Sequence, residues 1–319
     1  MLSEFELISR FFTRPAHSAI LGIGDDCALL AASAGTQLAI STDMLVSGIH
    51  FFADTPPEPL GHKSLAVNLS DLAAMGAAPR AFTLALSLPS PSADWLTSFS
   101  AGLFALADRH HCELIGGDTT RGPLNICITV FGEVPANKAL RRDQAQAGDD
   151  IWVSGTLGDA RLALEALQGK ILIAPDTLAP ALARLYTPTP RVALGIALRD
   201  IAHSAIDLSD GLKGDITHIM NRSQLGACIM MDELPPGTLL SSQPRAYQYH
   251  CMLSGGDDYE LCFTAPPSRR AAVEAVARQT DTPLTCIGYM TQQPGLRLID
   301  ANGKETYLAD TSFDHFATP

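Results

Sequence analysis

The sequence has no C-x-x-C pair. Its seven cysteines, at Cys27, Cys112, Cys127, Cys228, Cys251, Cys262 and Cys286, are scattered and odd in number. That excludes a disulfide framework and a thiolate zinc site, and it fits free thiols in a reducing compartment. No apolar run approaches the ~20 residues that a membrane-crossing helix needs. Glu4 and Glu6 stand where an export signal would carry Lys or Arg, so the expectation is a cytoplasmic protein without such a signal. Basic residues are few: 22 Lys and Arg against 34 Asp and Glu, a net charge of −12. That balance argues against a nucleic-acid-binding surface. Nucleotide signatures are missing too. There is no G-x-x-x-x-G-K-[ST] loop and no protein-kinase motif set, and Gly22-Ile-Gly24 meets Cys27 where a dinucleotide fingerprint needs its third glycine.

What is present is a folded chain of 319 residues, 46% hydrophobic and free of low-complexity tracts. That is long enough for two domains, each with its own core. Ser3 and Glu6 form a capping box with Leu2 as a possible staple, and Leu7, Ile8, Phe11 and Phe12 make the stripe of a first helix. Leu38, Ala39 and Ile40 read as a buried strand running into Ser41, Thr42 and Asp43, with Gly48 turning the chain toward His50. Residues 59–78 read as a helix whose core side is Leu65, Leu69, Leu72 and Ala73. On that helix Ser64, Asn68 and Asp71 share one face. Short oxygen-bearing side chains are an unusual choice for a solvated face, where Lys and Glu prevail.

Strands are expected at 81–88, 112–115 and 124–134, with a helix capped by Ser92 among them. A domain boundary falls at 135–138. Beyond it come strands at 151–154, 204–208, 226–231, 259–264, 284–289 and 296–299. Helices are expected at 159–167, 175–185, 190–201 and 268–278, and one runs to Asn221. This mixed order predicts an α+β fold of two domains, 1–137 and 138–319, rather than a Rossmann sheet or an eightfold barrel.

Six acidic sites fall at glycine turns, strand ends or that polar helix face: Asp25/Asp26, Asp43, Asp71, Asp118, Asp207/Asp210 and Asp257/Asp258. Each alone is an ordinary turn or cap residue. Together, with several set among apolar neighbours and few basic residues near, they ask for a counter-charge, because buried carboxylates are costly unless paired or metal-bound. Several Mg²⁺ ions would supply it, and such a site suits polyphosphate chemistry.

Six motifs occur in order: Gly22-Ile-Gly-Asp-Asp26, Ser41-Thr-Asp43, Asn68-Leu-Ser-Asp-Leu-Ala-Ala-Met-Gly76, Gly116-Gly-Asp-Thr-Thr-Arg121, Ala205-Ile-Asp-Leu-Ser-Asp-Gly211 and Ser254-Gly-Gly-Asp-Asp-Tyr-Glu260. Through them the chain resembles the thiamine-monophosphate kinase family, within the aminoimidazole-ribonucleotide-synthetase-like superfamily. The resemblance implies an N-terminal mixed sheet with helices that binds ATP and Mg²⁺ and pairs with its twin in a homodimer. It implies a C-terminal α+β domain that completes the nucleotide and substrate site. Carried over by motif, Asp26, Ser41, Thr42, Asp43, Asp71, Asp118, Asp207 and Asp210 would bind Mg²⁺. Gly117, Asp118, Arg142 and Ser209 would contact ATP, and His50, Asp257 and Phe313 the thiamine phosphate. The family usually reads G-G-E-D-Y-E, so Asp257 is a departure, one methylene shorter.

The implied reaction is phosphoryl transfer from ATP to thiamine monophosphate, direct and without a phosphoenzyme. A phosphate monoester loses its second proton near pH 6, so no general base is assigned. Two alternatives stand beside this: another ATP-dependent synthetase of the superfamily, and a Mg-nucleotide-binding protein without catalysis.

Overall fold

A computed structural model describes residues 3–306. Leu2 and Phe313 lie outside the described residues. The chain divides into two compact units. One comprises residues up to Leu72 with Ala77–Asn137, the other Ala73–Gly76 with the residues from Lys138 on.

In the first unit the Ser3–Glu6 capping box is formed, and the helix it starts, α1 (Glu4–Leu7), continues as a π-helical turn, Ile8–Phe12. Leu7, Phe11 and Phe12 are its buried residues. Four strands follow, β1 (Thr36–Val46), β2 (Ala78–Leu88), β3 (Glu113–Arg121) and β4 (Asn125–Pro135), with helices α2 (Pro57–Ala74) and α3 (Ala93–Arg109). The sheet order is β1-β4-β2-β3. β4 runs antiparallel to both neighbours, and β2 pairs parallel with β3 across the α3 crossover. Alternation along β2 and β4 turns Phe82, Leu84 and Leu86, with Ile126, Ile128 and Val130, into the core with Leu65, Leu69, Phe99 and Leu103. The two helices touch backbone to backbone. A Cβ on Gly61 would lie 2.0 Å from the Phe99 carbonyl oxygen, and one on Gly102 would lie 1.9 Å from that of Glu58.

The second unit carries β5 (Asp150–Ser154), α4 (Asp159–Leu167), α5 (Pro175–Tyr186), α6 (Val192–Ala197), β6 (Ser204–Asp207), α7 (Leu212–Ser223) and β7 (Gly226–Met230). It continues with α8 (Arg245–Ser254), β8 (Leu261–Ala265), α9 (Arg270–Gln279), β9 (Leu284–Thr291), β10 (Gly295–Ile299) and β11 (Glu305–Thr306). Its sheet order is β11-β10-β7-β9-β5-β8-β6, with β7 and β10 parallel and the other pairs antiparallel. Ile151, Val153, Ile206, Ile229, Cys262 and Ile287 pack beneath Ile216, Ile219, Met252 and Leu253 of α7 and α8. The expected α+β class holds. Several elements differ from expectation. β1 is not a short buried strand: it runs eleven residues at the sheet's edge, with Leu38 and Ile40 exposed on its outer side. α2 ends at Ala74, before the left-handed Gly76, and α6 spans only Val192–Ala197. β3 does not stop at Ile115 but runs on through the glycines, and α8 and β11 have no counterpart in the sequence pattern.

Candidate functional site

On the first unit three of the expected ligand residues, Ser41, Asp43 and Asp71, come together where β1 faces α2. Strand alternation sends Ser41, Asp43 and Leu45 to one side and Leu38, Ile40, Thr42 and Met44 to the other, where they are exposed. The polar line of α2 meets the first side. Ser64 and Asn68 are fully buried. Ser64 Oγ donates to the Leu60 carbonyl at 2.7 Å, and Asn68 Nδ2 donates to the Ser64 carbonyl at 3.0 Å. That fixes the Asn68 amide so that its Oδ1 accepts the Asp43 N–H at 3.1 Å. One turn on, Ser41 Oγ donates to Asp71 Oδ2 at 2.5 Å. The line is therefore a buried polar seam, not a solvated face, and it holds Ser41, Asp43 and Asp71 together. Thr42 points the other way, its hydroxyl bonded to that of Thr129 across the strand pair at 2.8 Å.

Gly117 and Asp118 sit on β3, at the opposite edge of the sheet from β1. A register shift at Phe82/Thr83 marks a bulge just before them, a device that re-aims side chains near sites. Gly117 has φ +149° and lies against β2 so closely that a Cβ would be 1.9 Å from the Leu84 carbonyl oxygen. Only glycine fits. The ladder aligns Asp43, Ile128, Leu84 and Gly117 in one row, with Asp118 in the next. Asp26 is exposed in the turn before β1, where Gly24 has φ +121° and the Asp26 N–H is held by Asp25 Oδ1 at 2.8 Å. His50 closes the turn after β1. Its Nδ1 accepts the Val46 N–H at 3.0 Å, which puts the ring proton on Nε2 in the neutral form.

On the second unit the Asp207-Leu-Ser-Asp-Gly211 turn joins β6 to α7. Asp215, in the first turn of α7, accepts the N–H groups of Asp210 at 3.2 Å and Gly211 at 3.1 Å. Burial, then the charges of Asp207 and Asp210, push its carboxyl up to about 8. Three carboxylates thus crowd one turn. Sequence reasoning missed Asp215; the only signal was an acidic residue in the first turn of the helix after Asp210. The neighbouring loop, Gly255 to Tyr259, is stitched to this turn. The Asp257 N–H donates to the Ser209 carbonyl at 2.9 Å and the Tyr259 N–H to that of Leu208 at 2.8 Å. Asp258 is buried and accepts the Gly158 N–H, and burial holds its carboxyl well above the usual range. Arg142 is exposed, and its carbonyl accepts the Ser223 hydroxyl at the end of α7.

Among the described residues, no three His, Cys, Asp or Glu side chains form a ready cage for a metal ion. The donor sets still suit Mg²⁺. That ion binds hard oxygens, keeps several waters, and is commonly held by one or two carboxylates together with phosphates. Asp43 and Asp71 on the seam, and Asp207 and Asp210 beside the crowded Asp215, have the chemistry such a pair would need.

Residues 24–134 match the family model described as AIR synthase related protein, N-terminal domain. The chain is 47% identical over 322 residues to the thiamine-monophosphate kinase of Salmonella typhimurium, covering 99% of each. The crystal structure of thiamine-monophosphate kinase from Stenotrophomonas maltophilia superimposes with a TM-score of 0.85 at 49% identity, covering 91% of this chain and 93% of that one. A structure described as AaThiL complexed with AMPPCP and TMP gives a TM-score of 0.79 at 28% identity, covering 90% of this chain and 89% of that one.

Proposed function

Because this chain belongs to the thiamine-monophosphate kinase family, we infer that it transfers the γ-phosphoryl group of ATP to thiamine monophosphate, giving thiamine diphosphate and ADP. The observation that best supports this is the seam between β1 and α2, where Ser41 Oγ bonds Asp71 and the Asp43 N–H bonds Asn68, a setting in which Asp43 and Asp71 would offer hard oxygen donors. Two polyanions must approach each other in this reaction, so catalysis is mostly positioning and charge neutralisation.

Asp26, Ser41, Asp43, Asp71 and Asp118 on the first unit, and Asp207 and Asp210 on the second, are the residues that would hold Mg²⁺. Thr42 would contribute its carbonyl oxygen, since its hydroxyl faces Thr129. When bound, Mg²⁺ neutralises phosphate charge and orients the oxygens for in-line displacement. The protein's own groups do the rest. Gly117 would meet the ATP phosphate through its backbone, and exposed Arg142 would offer a guanidinium to it. Ser209 contributes from the turn before α7.

His50 and Asp257 contact the thiamine phosphate, with Phe313 as a third contact. His50 presents Nε2–H, a donor suited to a phosphate oxygen and not an acceptor for a proton. No base is needed, because the acceptor phosphate is already dianionic above about pH 6. Transfer is direct. The exposed Leu38, Ile40 and Met44 on outer strand β1 support a homodimer built on this sheet. Among the described residues no helix is long and apolar enough to cross a membrane, and the seven cysteines are free, which supports a cytoplasmic location.

The deciding experiment is ADP release with purified protein, ATP and Mg²⁺, comparing thiamine monophosphate, free thiamine and formylglycinamidine ribonucleotide as acceptors. Turnover with the first alone is expected. Turnover with the third would move the protein to a synthetase reaction, and nucleotide binding without ADP release would make it a binding protein.

A further inference from the structure

Asp257 and Tyr259 both have left-handed backbones, at φ +69° and +48°, although neither is glycine. Such conformations persist in side-chain-bearing residues only where the surroundings over-determine them. What holds this loop lies directly beneath it.

Glu260, the next residue, is fully buried. Its carboxylate accepts a forked pair from Arg191, Nε to Oε2 and Nη2 to Oε1, both at 2.6 Å. It also accepts Arg184 Nη2 at 2.7 Å and the Ser154 hydroxyl at 2.5 Å. The same Arg184 Nη2 reaches up to the Asp258 carbonyl at 3.2 Å. The Ser154 hydroxyl in turn accepts the Leu261 N–H at 2.8 Å. Gly155 leaves the room: at φ +59°, a Cβ there would sit 2.2 Å from Glu260 Oε1. One carboxylate therefore gathers the end of β5, helix α5, the start of α6 and the start of β8, and through Arg184 it grips the loop's own backbone.

From this geometry we infer that Glu260, with Arg184 and Arg191, is a positioning cluster that fixes the Gly255–Tyr259 loop so that Asp257 meets the thiamine phosphate. This rests on the function proposed above, in which Asp257 touches that substrate. The neighbouring Asp207–Gly211 turn has a separate anchor, the Asp215 carboxylate under Asp210 and Gly211. Loosening the cluster should therefore weaken the phosphate acceptor's binding more than that of ATP.

The test is steady-state kinetics on Glu260→Gln and Arg191→Lys, with Arg270→Lys as control. Glu260→Gln keeps the shape but loses the charge, and Arg191→Lys keeps the charge but loses the fork. Arg270 makes an equivalent fork onto Asp150, on strand β5, away from the loop. KM for thiamine monophosphate should rise about tenfold in the first two variants, with KM for ATP within twofold of wild type. The control should leave both unchanged. Folded variants whose KM for thiamine monophosphate stays within twofold, or whose two KM values rise together, would overturn the inference. So would failure of both variants to fold, which would make the cluster a folding element. A wild-type protein that does not turn over thiamine monophosphate would refute the proposed function instead.

Discussion

A single oxygen-for-nitrogen exchange separates metal ligation from packing at the aspartates. Asp43→Asn or Asp118→Asn should abolish turnover at physiological Mg²⁺ while leaving the circular dichroism spectrum and melting temperature close to wild type. Asp43 is held through its backbone N–H, which the amide retains. Near-normal turnover in both would remove the metal assignment. Asp257 invites a different exchange. Asp is among the few side-chain-bearing residues that tolerate a left-handed backbone, which gives the shorter carboxylate a physical reason at φ +69°. Replacing it with the family's more usual Glu should cost about 0.5–1 kcal/mol of stability, read by urea titration. At this scale the sequence was informative about chemistry and silent about facing. Ser41, Thr42 and Asp43 read as one ligand set, yet the pleat divides them. Glu260 is legible as a motif residue but its role is not, and Asp215 is not legible at all, because nothing in their local spacing announces the partners that the fold brings to them.

Elements are joined here by close backbone contact and by buried charge. Gly102→Ala should destabilise the protein by about 3 kcal/mol, because its methyl group would meet the Glu58 carbonyl of the facing helix α2. Thermal melting checks it; a variant as stable as wild type would mean the two helices can part freely. Helices α4 and α8 are pinned instead by Glu165, which accepts Arg161 Nε at 2.7 Å and the Tyr247 hydroxyl at 2.6 Å. Burial raises the Glu165 carboxyl, but Tyr247, Arg161 and His250 together hold it below its ordinary value near 4.5. A carboxyl lowered in the folded state contributes stability above the unfolded value that fades as pH falls through the folded one. Glu165→Gln should therefore melt lower than wild type at pH 7, and the gap should close as pH drops below about 4.5. A gap that stays constant would remove the ionic contribution. Element starts were legible where apolar period and cap agreed, as at α3, whose Ser92 accepts the Trp95 N–H, and the apolar period alone set α4, where 159–167 matches Asp159–Leu167. Helix α8 was not, because its Tyr, Gln and His residues give a helical period little to work with. Nor was the extension of β3 through Gly116 and Gly117, since glycines ordinarily end a strand.

At the scale of the whole molecule, the two-unit α+β plan was legible because strand and helix patterns change order along the chain. Loop contacts such as Asp257 to Ser209 were not, since they pair residues far apart in sequence through backbone atoms alone. The proposed homodimer can be tested on β1. Ile40 is 59% exposed on its outer side, and Ile40→Asp should shift the protein from dimer to monomer in sedimentation velocity. An unchanged sedimentation coefficient would place any dimer contact elsewhere. The eleven-residue length of β1, at the margin of its sheet, has one more effect. A long extended margin is a template on which other extended polypeptides can grow. In the proposed homodimer a twin would cover that margin, so a protomer without it would tend to precipitate in the crowded cell, and mutations that loosen the proposed pair would surface first as low soluble yield, before any defect in turnover could be measured.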